Sequence, residues 1–170
     1  MHLVSQQTQL DEVTGNQLTQ SFSYRQAYYD GLHRVFRGFG MILQRDSEVG
    51  SGDVSEGFTA PILSKTWYHT GRYPHKVPYG FNDSDELAVA LGRDVLTSYV
   101  DGQDQIIESP VAADLREMAR ALAGSVLRVE VFGYEGVAPS TLPYTVQSSR
   151  YLVRQLEAVG PYQRYARMLP

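Results

Sequence analysis

The sequence predicts an α+β fold that is mainly β, with antiparallel hairpins and sheet and one helix, at about residues 110–123, packed on them. Three observations carry that expectation. Polar and apolar residues alternate with a period of two in the runs 17–29 and 125–134, as half-buried strands require. The aromatic residues are weighted toward tyrosine, with 12 Tyr against 6 Phe and 1 Trp, a composition that favours pleated surfaces. A single stretch, residues 109–124, carries start and stop signals on either side of a helical stripe.

The first run, QLTQSFSYRQAYY (17–29), sets Leu18, Phe22, Tyr24 and Tyr28 on one parity and Thr19, Ser21, Ser23 and Arg25 on the other. Asp30-Gly31 follows, a pair favoured by the two-residue I′ hairpin turn because both central positions need positive φ. The return run, HRVFRGFGMILQ (33–44), alternates less cleanly, and Gly38 and Gly40 are places for a bend, a bulge or the close approach of another backbone. Residues 46–57, DSEVGSGDVSEG, are acidic, small and apolar-poor, and read as an exposed loop.

ILSKTWYHTG (62–71) reads as a third strand, and residues 72–82, with Pro74, Pro78 and Gly80, as an irregular connection. In 83–99, Leu87, Leu91, Val95 and Tyr99 recur at helical spacing behind Asp83 and Glu86, suggesting a helix that Gly92 weakens. The firmer helix, 110–123, has Ser109 as N-cap, Pro110 at the first position, a Val111, Leu115, Met118, Leu122 stripe and Gly124 as stop. SVLRVEVFGY (125–134) then alternates Leu127, Val129 and Val131 with Arg128 and Glu130. The run from Tyr144 to Leu156 reads as one long strand with a bulge near Ser148-Ser149, where the parity shifts.

Length and charge limit what the chain can do. Its 170 residues suit one modest core. A net charge of −4 leaves no cationic surplus for a phosphate backbone, so nucleic acid is not an expected partner. There is no cysteine, which removes disulfides, thiolate metal sites and thiol nucleophiles. MHLVSQQTQLDEV has too short an apolar run for a signal peptide, and no stretch has the ~18 apolar residues of a membrane helix.

No catalytic constellation emerges. Arg37-Gly38-Phe39-Gly40 is followed by Met41-Ile42-Leu43, without the lysine and hydroxyl of a phosphate loop or the third glycine of a dinucleotide fingerprint. His33, His69 and His75 lack a second ligand at strand or helix spacing. Asp30, Asp83, Asp85, Asp101 and Asp104 read as turn caps, and no G-x-S-x-G elbow is present. The expectation is no enzyme, no metal and no cofactor.

Three segments in series say more than any one of them. AYYDGLHRVFRGFGMILQRDSE, then ILSKTWYHTG, then ALAGSVLRVEVFGYEGVAPSTLPYTVQSSRYLVRQLE resemble the middle region of the B component of bacterial insecticidal toxin complexes, the TcB/TcdB-like proteins, which are related to SpvB and Rhs-repeat proteins. The motif positions are Tyr28, Tyr29, Asp30, Gly31, Arg34, Phe36, Arg37, Gly38, Phe39 and Gly40, then Trp67, His69 and Gly71, then Gly133 and Tyr144. His33 stands where the family has an acidic residue before the arginine, and Val35 where glutamate is common.

The resemblance implies that residues 1–170 are a single middle region and a fragment of a larger secreted protein. In that family the region lies between a β-propeller, which docks on the A component, and Rhs-type sheet, which with the C component builds a hollow β-shell around a toxic polypeptide. It implies a scaffold with protein partners: the remainder of the B component, the C component and, through other domains, the A component. Membrane contact by this segment is not implied. Within the segment, Tyr28, Phe36, Phe39, Trp67 and Tyr68 would pack, with Arg34 and Arg37 as polar partners. The alternative is an autonomous carbohydrate- or protein-binding β module, with exposed tyrosines and Trp67 as a stacking platform.

Overall fold

Strand-forming alternation governs most of the chain in the computed structural model, which describes residues 2–49, 61–72, 95–135, 138–157 and 167–170. The strands are β1 (Gln6–Leu10), β2 (Gln17–Asp30), β3 (Val35–Val49), β4 (Ile62–Tyr68), β5 (Val95–Val100), β6 (Gln103–Ile106), β7 (Val126–Glu135), β8 (Ala138–Pro139), β9 (Thr145–Ser148), β10 (Leu152–Glu157) and β11 (Arg167–Leu169), with one helix, α1 (Ala112–Ala121), among the described residues. One sheet runs β1-β2-β3-β4-β7-β8, with β9 also on β7, and a second runs β11-β10-β5-β6. The chain divides into two compact units, the first Met1–Arg25, Met41–Thr66 and Arg128–Gln147, the second Gln26–Gly40, Trp67–Leu127 and Ser148–Pro170. The mainly β, α+β expectation holds.

In the first unit, β1 pairs antiparallel with the start of β2 from Gln6↔Ser21 to Leu10↔Gln17. Asp11 closes the connection by accepting hydrogen bonds from Val13 N at 2.9 Å and Thr14 Oγ1 at 2.7 Å, and Gly15 takes φ 74°. β1 escapes sequence reading because QQTQL is exposed on both faces and so has no alternation to detect. β3 continues through residues 46–49, which corrects the expected start of the acidic loop 46–57. There Gln44 donates to Asp46 at 3.0 Å, while residues 50–57 lie outside the described part.

In the second unit, α1 packs on the four-stranded sheet through a core of Leu96, Met118, Leu122 and Val153, with Leu115, Ile107, Ala121 and Tyr151 around it. Leu115, Met118 and Leu122 of the predicted stripe therefore face the core, but Val111 is exposed and the ends differ. The N-cap is Val111, extended and without a side-chain cap bond, so Ser109 does not cap the helix. Asp114 in the first turn and Arg120 in the last complement the helix dipole instead. Gly124, at φ 89°, ends the helical path as predicted.

Val95 and Tyr99 lie in β5, correcting the helix suggested for 83–99; residues 83–94 are outside the described part. β5 pairs parallel with β10 and antiparallel with β6, and pairing at that sequence distance overrides a local periodicity. The expected long strand 144–156 is two strands in different sheets, not one strand with a bulge. Ser149 N donates to Leu127 O at 2.9 Å and Tyr151 Oη to Val126 O at 2.6 Å, so the chain passes from one partner to the other between β9 and β10.

The two Asp-Gly pairs make different turns. Asp101 and Gly102 take φ 52° and 81° between the paired Val100 and Gln103, the backbone of a two-residue I′ loop. Asp30-Gly31 does not: the turn spans residues 31–34, and its positive φ, 51°, belongs to Arg34. Replacing Gly102 by Ala therefore costs about 1–2 kcal/mol, while Gly31→Ala, with open space and ordinary φ, changes the urea midpoint little. Leu122→Ala, in the fully buried core, lowers unfolding free energy by about 2–5 kcal/mol in the same measurement.

Candidate functional site

The motif residues at the β2–β3 tip meet around one carboxylate. Asp30 Oδ1 accepts from Leu32 N at 3.1 Å and His33 N at 3.2 Å, while Oδ2 meets His33 Nδ1 at 2.7 Å and Arg37 Nη2 at 2.9 Å. This fourfold capture sets the longer turn, because an Asp side chain that bonds the amides two and three residues on competes with the I′ geometry. Burial alone would raise the Asp30 carboxyl, but the hydrogen bonds from His33 and Arg37 and the His33 charge outweigh it and hold the group well below the usual carboxylate range. His33 is thus one of the groups that lock the turn.

The neighbouring motif positions are placed by the same hairpin. Arg72 sits over the Tyr28 ring, 5.7 Å from its centroid, and Phe36 meets Phe39 edge to face at 5.3 Å. Tyr29 is exposed. Gly38 has φ 99° with nothing within 4 Å of a would-be Cβ, so it serves a bend and not a close approach; Gly40 is buried.

The second motif is stitched to the end of α1. His69 N donates to Ser125 O at 2.9 Å, and Gly124 N donates to His69 O at 2.7 Å. Gly71 N donates to His69 Nδ1 at 3.0 Å, which makes that nitrogen an acceptor and assigns the ring proton to Nε2. A Cβ on Gly71, whose φ is 73°, would lie 3.0 Å from Ala123 Cβ and 3.2 Å from Ala119 O, so only glycine fits. Trp67 and His69 are each 1% exposed. Trp67 therefore cannot be the stacking platform of the alternative reading.

In the first unit the phenol of the exposed Tyr144 lies over Gly133, and a Cβ there would displace it. Tyr144 N donates to Val131 O and Ser140 N to Gly133 O, both at 2.8 Å. The same strand holds the pair that sequence reasoning missed. Arg128 and Glu130, set apart as a polar face, are 3% and 0% exposed and joined by Nε–Oε1 and Nη2–Oε1 contacts of 2.7 and 2.6 Å. Opposite charges at i and i+2 of a strand share a face, and that spacing was the available signal. Lys65 lies 4.3 Å from the Phe132 ring centroid and Arg45 4.8 Å from that of Tyr134.

Asp104 is a strand residue and not a turn cap. In the second unit it takes Arg154 Nε on Oδ1 at 2.7 Å and Nη2 on Oδ2, and Thr97 Oγ1 donates to it at 3.1 Å. The Arg154 bond is the main reason its carboxyl titrates below the ordinary range, and the guanidinium also covers the Tyr99 ring at 4.2 Å. These polar groups face one another. Among the described residues no group of three His, Cys, Asp or Glu side chains could hold a metal ion.

Residues 1–71 match the family described as Insecticide toxin TcdB middle/N-terminal region, and residues 117–170 its middle/C-terminal region. The chain belongs to the TcdB middle-region family. Solved structures agree. The crystal structure of TcdB2-TccC3-Cdc42 matches with TM-score 0.76 and 29% identity, over 99% of this chain and 8% of that one, and TcdB2-TccC3 with 0.74 and 29%, over 96% and 8%. The Photorhabdus luminescens Tc holotoxin pore carrying TccC3-D651A matches with 0.70 and 31%, over 94% and 7%. No curated protein matches. This TcdB-type segment thus spans less than a tenth of the solved chains it resembles, and the resemblance read from its three motifs is confirmed.

The buried pair of the TcdB-type segment is testable by its asymmetry. Arg128→Met alone costs about 3–5 kcal/mol because it strands the Glu130 charge, whereas Arg128→Met with Glu130→Leu restores most of that loss in chemical denaturation. The Asp30 cluster predicts a pH effect. A carboxyl held low in the folded state stabilises the fold fully above its unfolded value, about pH 4, and the stabilisation is lost as pH falls through the lower folded value. Asp30→Asn is accordingly destabilised at neutral pH, and the gap between its urea midpoint and that of the parent narrows from pH 5 toward about pH 2.

Proposed function

We propose that this chain is a non-catalytic scaffold segment of a secreted, B-type toxin-complex protein, lying between a propeller and Rhs-type sheet and contributing to the β-shell that encloses a toxic polypeptide. The observation that carries the reading is likeness over nearly the whole chain, 99% of it at 29% identity, to TcdB2 solved together with TccC3. The chemistry agrees: the motif side chains hold turns, a helix end and a strand crossing, and their charges close on one another. The partners on this reading are proteins: the remainder of the B component, a TccC3-like C component and, through other domains, the A component.

The test is a TcdB2 chimera in which this chain replaces its matching segment. The expected result is a single complex with TccC3 on size exclusion, with the same protease resistance as the parent complex. A chimera that folds, by circular dichroism and melting, yet leaves TccC3 unbound or digestible would remove the scaffold reading. The Gly71→Val chimera should assemble poorly, since the collision with Ala119 and Ala123 disturbs the helix end.

A further inference from the structure

We propose that the outer edge of β1 is a strand-docking site, and that its occupant is an extended, uncharged strand from another part of a TcdB-type chain. The inference rests on the scaffold reading and adds to it a particular edge, a register and a kind of partner.

The register settles which backbone groups are free. Phe22 N donates to Ser5 O and Asp11 N to Asn16 O, each at 2.9 Å, and both pairs continue the β1–β2 register. In an antiparallel ladder hydrogen-bonded and non-hydrogen-bonded pairs alternate. Ser5, Gln7, Gln9 and Asp11 therefore turn their N–H and C=O toward β2, and Gln6, Thr8 and Leu10 turn theirs outward. The Oγ1–Oγ1 separation of 3.4 Å between Thr8 and Thr19 fits the closer, non-hydrogen-bonded kind of pair. Among the described residues β1 ends the sheet, and its five residues are exposed.

Sheet edges are ordinarily blocked by proline, by charge, or by brevity. β8 carries Pro139, β6 carries Asp104, and β9 and β11 are only four and three residues long. β1 is QQTQL, with no charge, no proline and no bulge in its register. Three outward N–H and three outward C=O groups at alternate residues match an added strand of about five residues. An edge without charge neither attracts nor rewards a charged partner. The solved chains of this type are more than ten times longer than this one, which covers 8% of them, so the setting of the segment supplies many strands.

Residue-resolved amide exchange tests this. In the chain alone, the amides of Gln6, Thr8 and Leu10 should exchange freely while those of Gln7 and Gln9 are protected. In the TcdB2 chimera bound to TccC3, all five should be protected, the outward three slowing by at least about tenfold. Thr8→Pro removes one outward N–H and no β1–β2 backbone bond, though it gives up the Thr8–Thr19 hydroxyl contact, so it should leave the isolated chain folded, with Gln7 and Gln9 still protected, and abolish the added protection at Gln6 and Leu10. Outward amides that stay fast in an intact chimera–TccC3 complex would overturn the inference while leaving the scaffold reading standing. Protection that rises with concentration in the isolated chain would assign the edge to a second copy and overturn it equally. The matching positions of TcdB2 in its own TccC3 complex give the same readout without a graft.

Discussion

The backbone clasp between His69 and the Gly124-Ser125 peptide is the constraint on which the second unit turns. Two hydrogen bonds of 2.9 and 2.7 Å join the end of β4 to the end of α1, and the imidazole, fully buried, bonds the Gly71 amide to hold the following turn. The clasp decides where α1 stops and where β7 begins, one residue after Ser125. It needs glycine twice: at Gly124 for a left-handed φ, and at Gly71 for a left-handed φ and for the approach of Ala119 and Ala123. A histidine that could have been weighed as a metal ligand in sequence spends its ring acceptor on the turn after β4 and its backbone on the helix end.

The same economy recurs at three carboxylates. Asp30 gathers four donors at a turn, Glu130 binds Arg128 under cover, and Asp104 takes Arg154 in a fork. Burying an ion pair seldom adds net stability against an apolar pair, but breaking one partner is severe. Such pairs suit a segment whose strands must meet in one register. These three carboxylates are committed to the architecture of a segment that belongs to the TcdB middle-region family.

Much of this was legible in particular residues. The alternation of 17–29, the stripe from Leu115 to Leu122 and the strand 126–134 all form as read. The failures have distinct causes. β1 has no apolar face, so periodicity is blind to it. Val95 and Tyr99 follow a helical spacing that distant pairing overrides. Arg128 and Glu130 alternate with Leu127 and Val129 like a solvent face, yet they are buried as well, because their mutual neutralisation makes burial tolerable. Of the motif positions, Gly71 has a steric reason that only coordinates reveal.

The linear chain determined its class, its strand-rich grammar, its lack of thiol chemistry and, through three motifs in order, its family. It did so because backbone geometry reads side-chain period locally, and because motif order survives where individual residues drift. Only the tertiary structure decided which Asp-Gly pair makes the tight turn. One carboxylate finds His33 and Arg37 across the hairpin and stretches its loop; the other pair, Asp101-Gly102, has no such capture among the described residues and takes the I′ form that its flanking strands favour. The dipeptide is the same in both places, and the long-range donors available to its side chain make the difference.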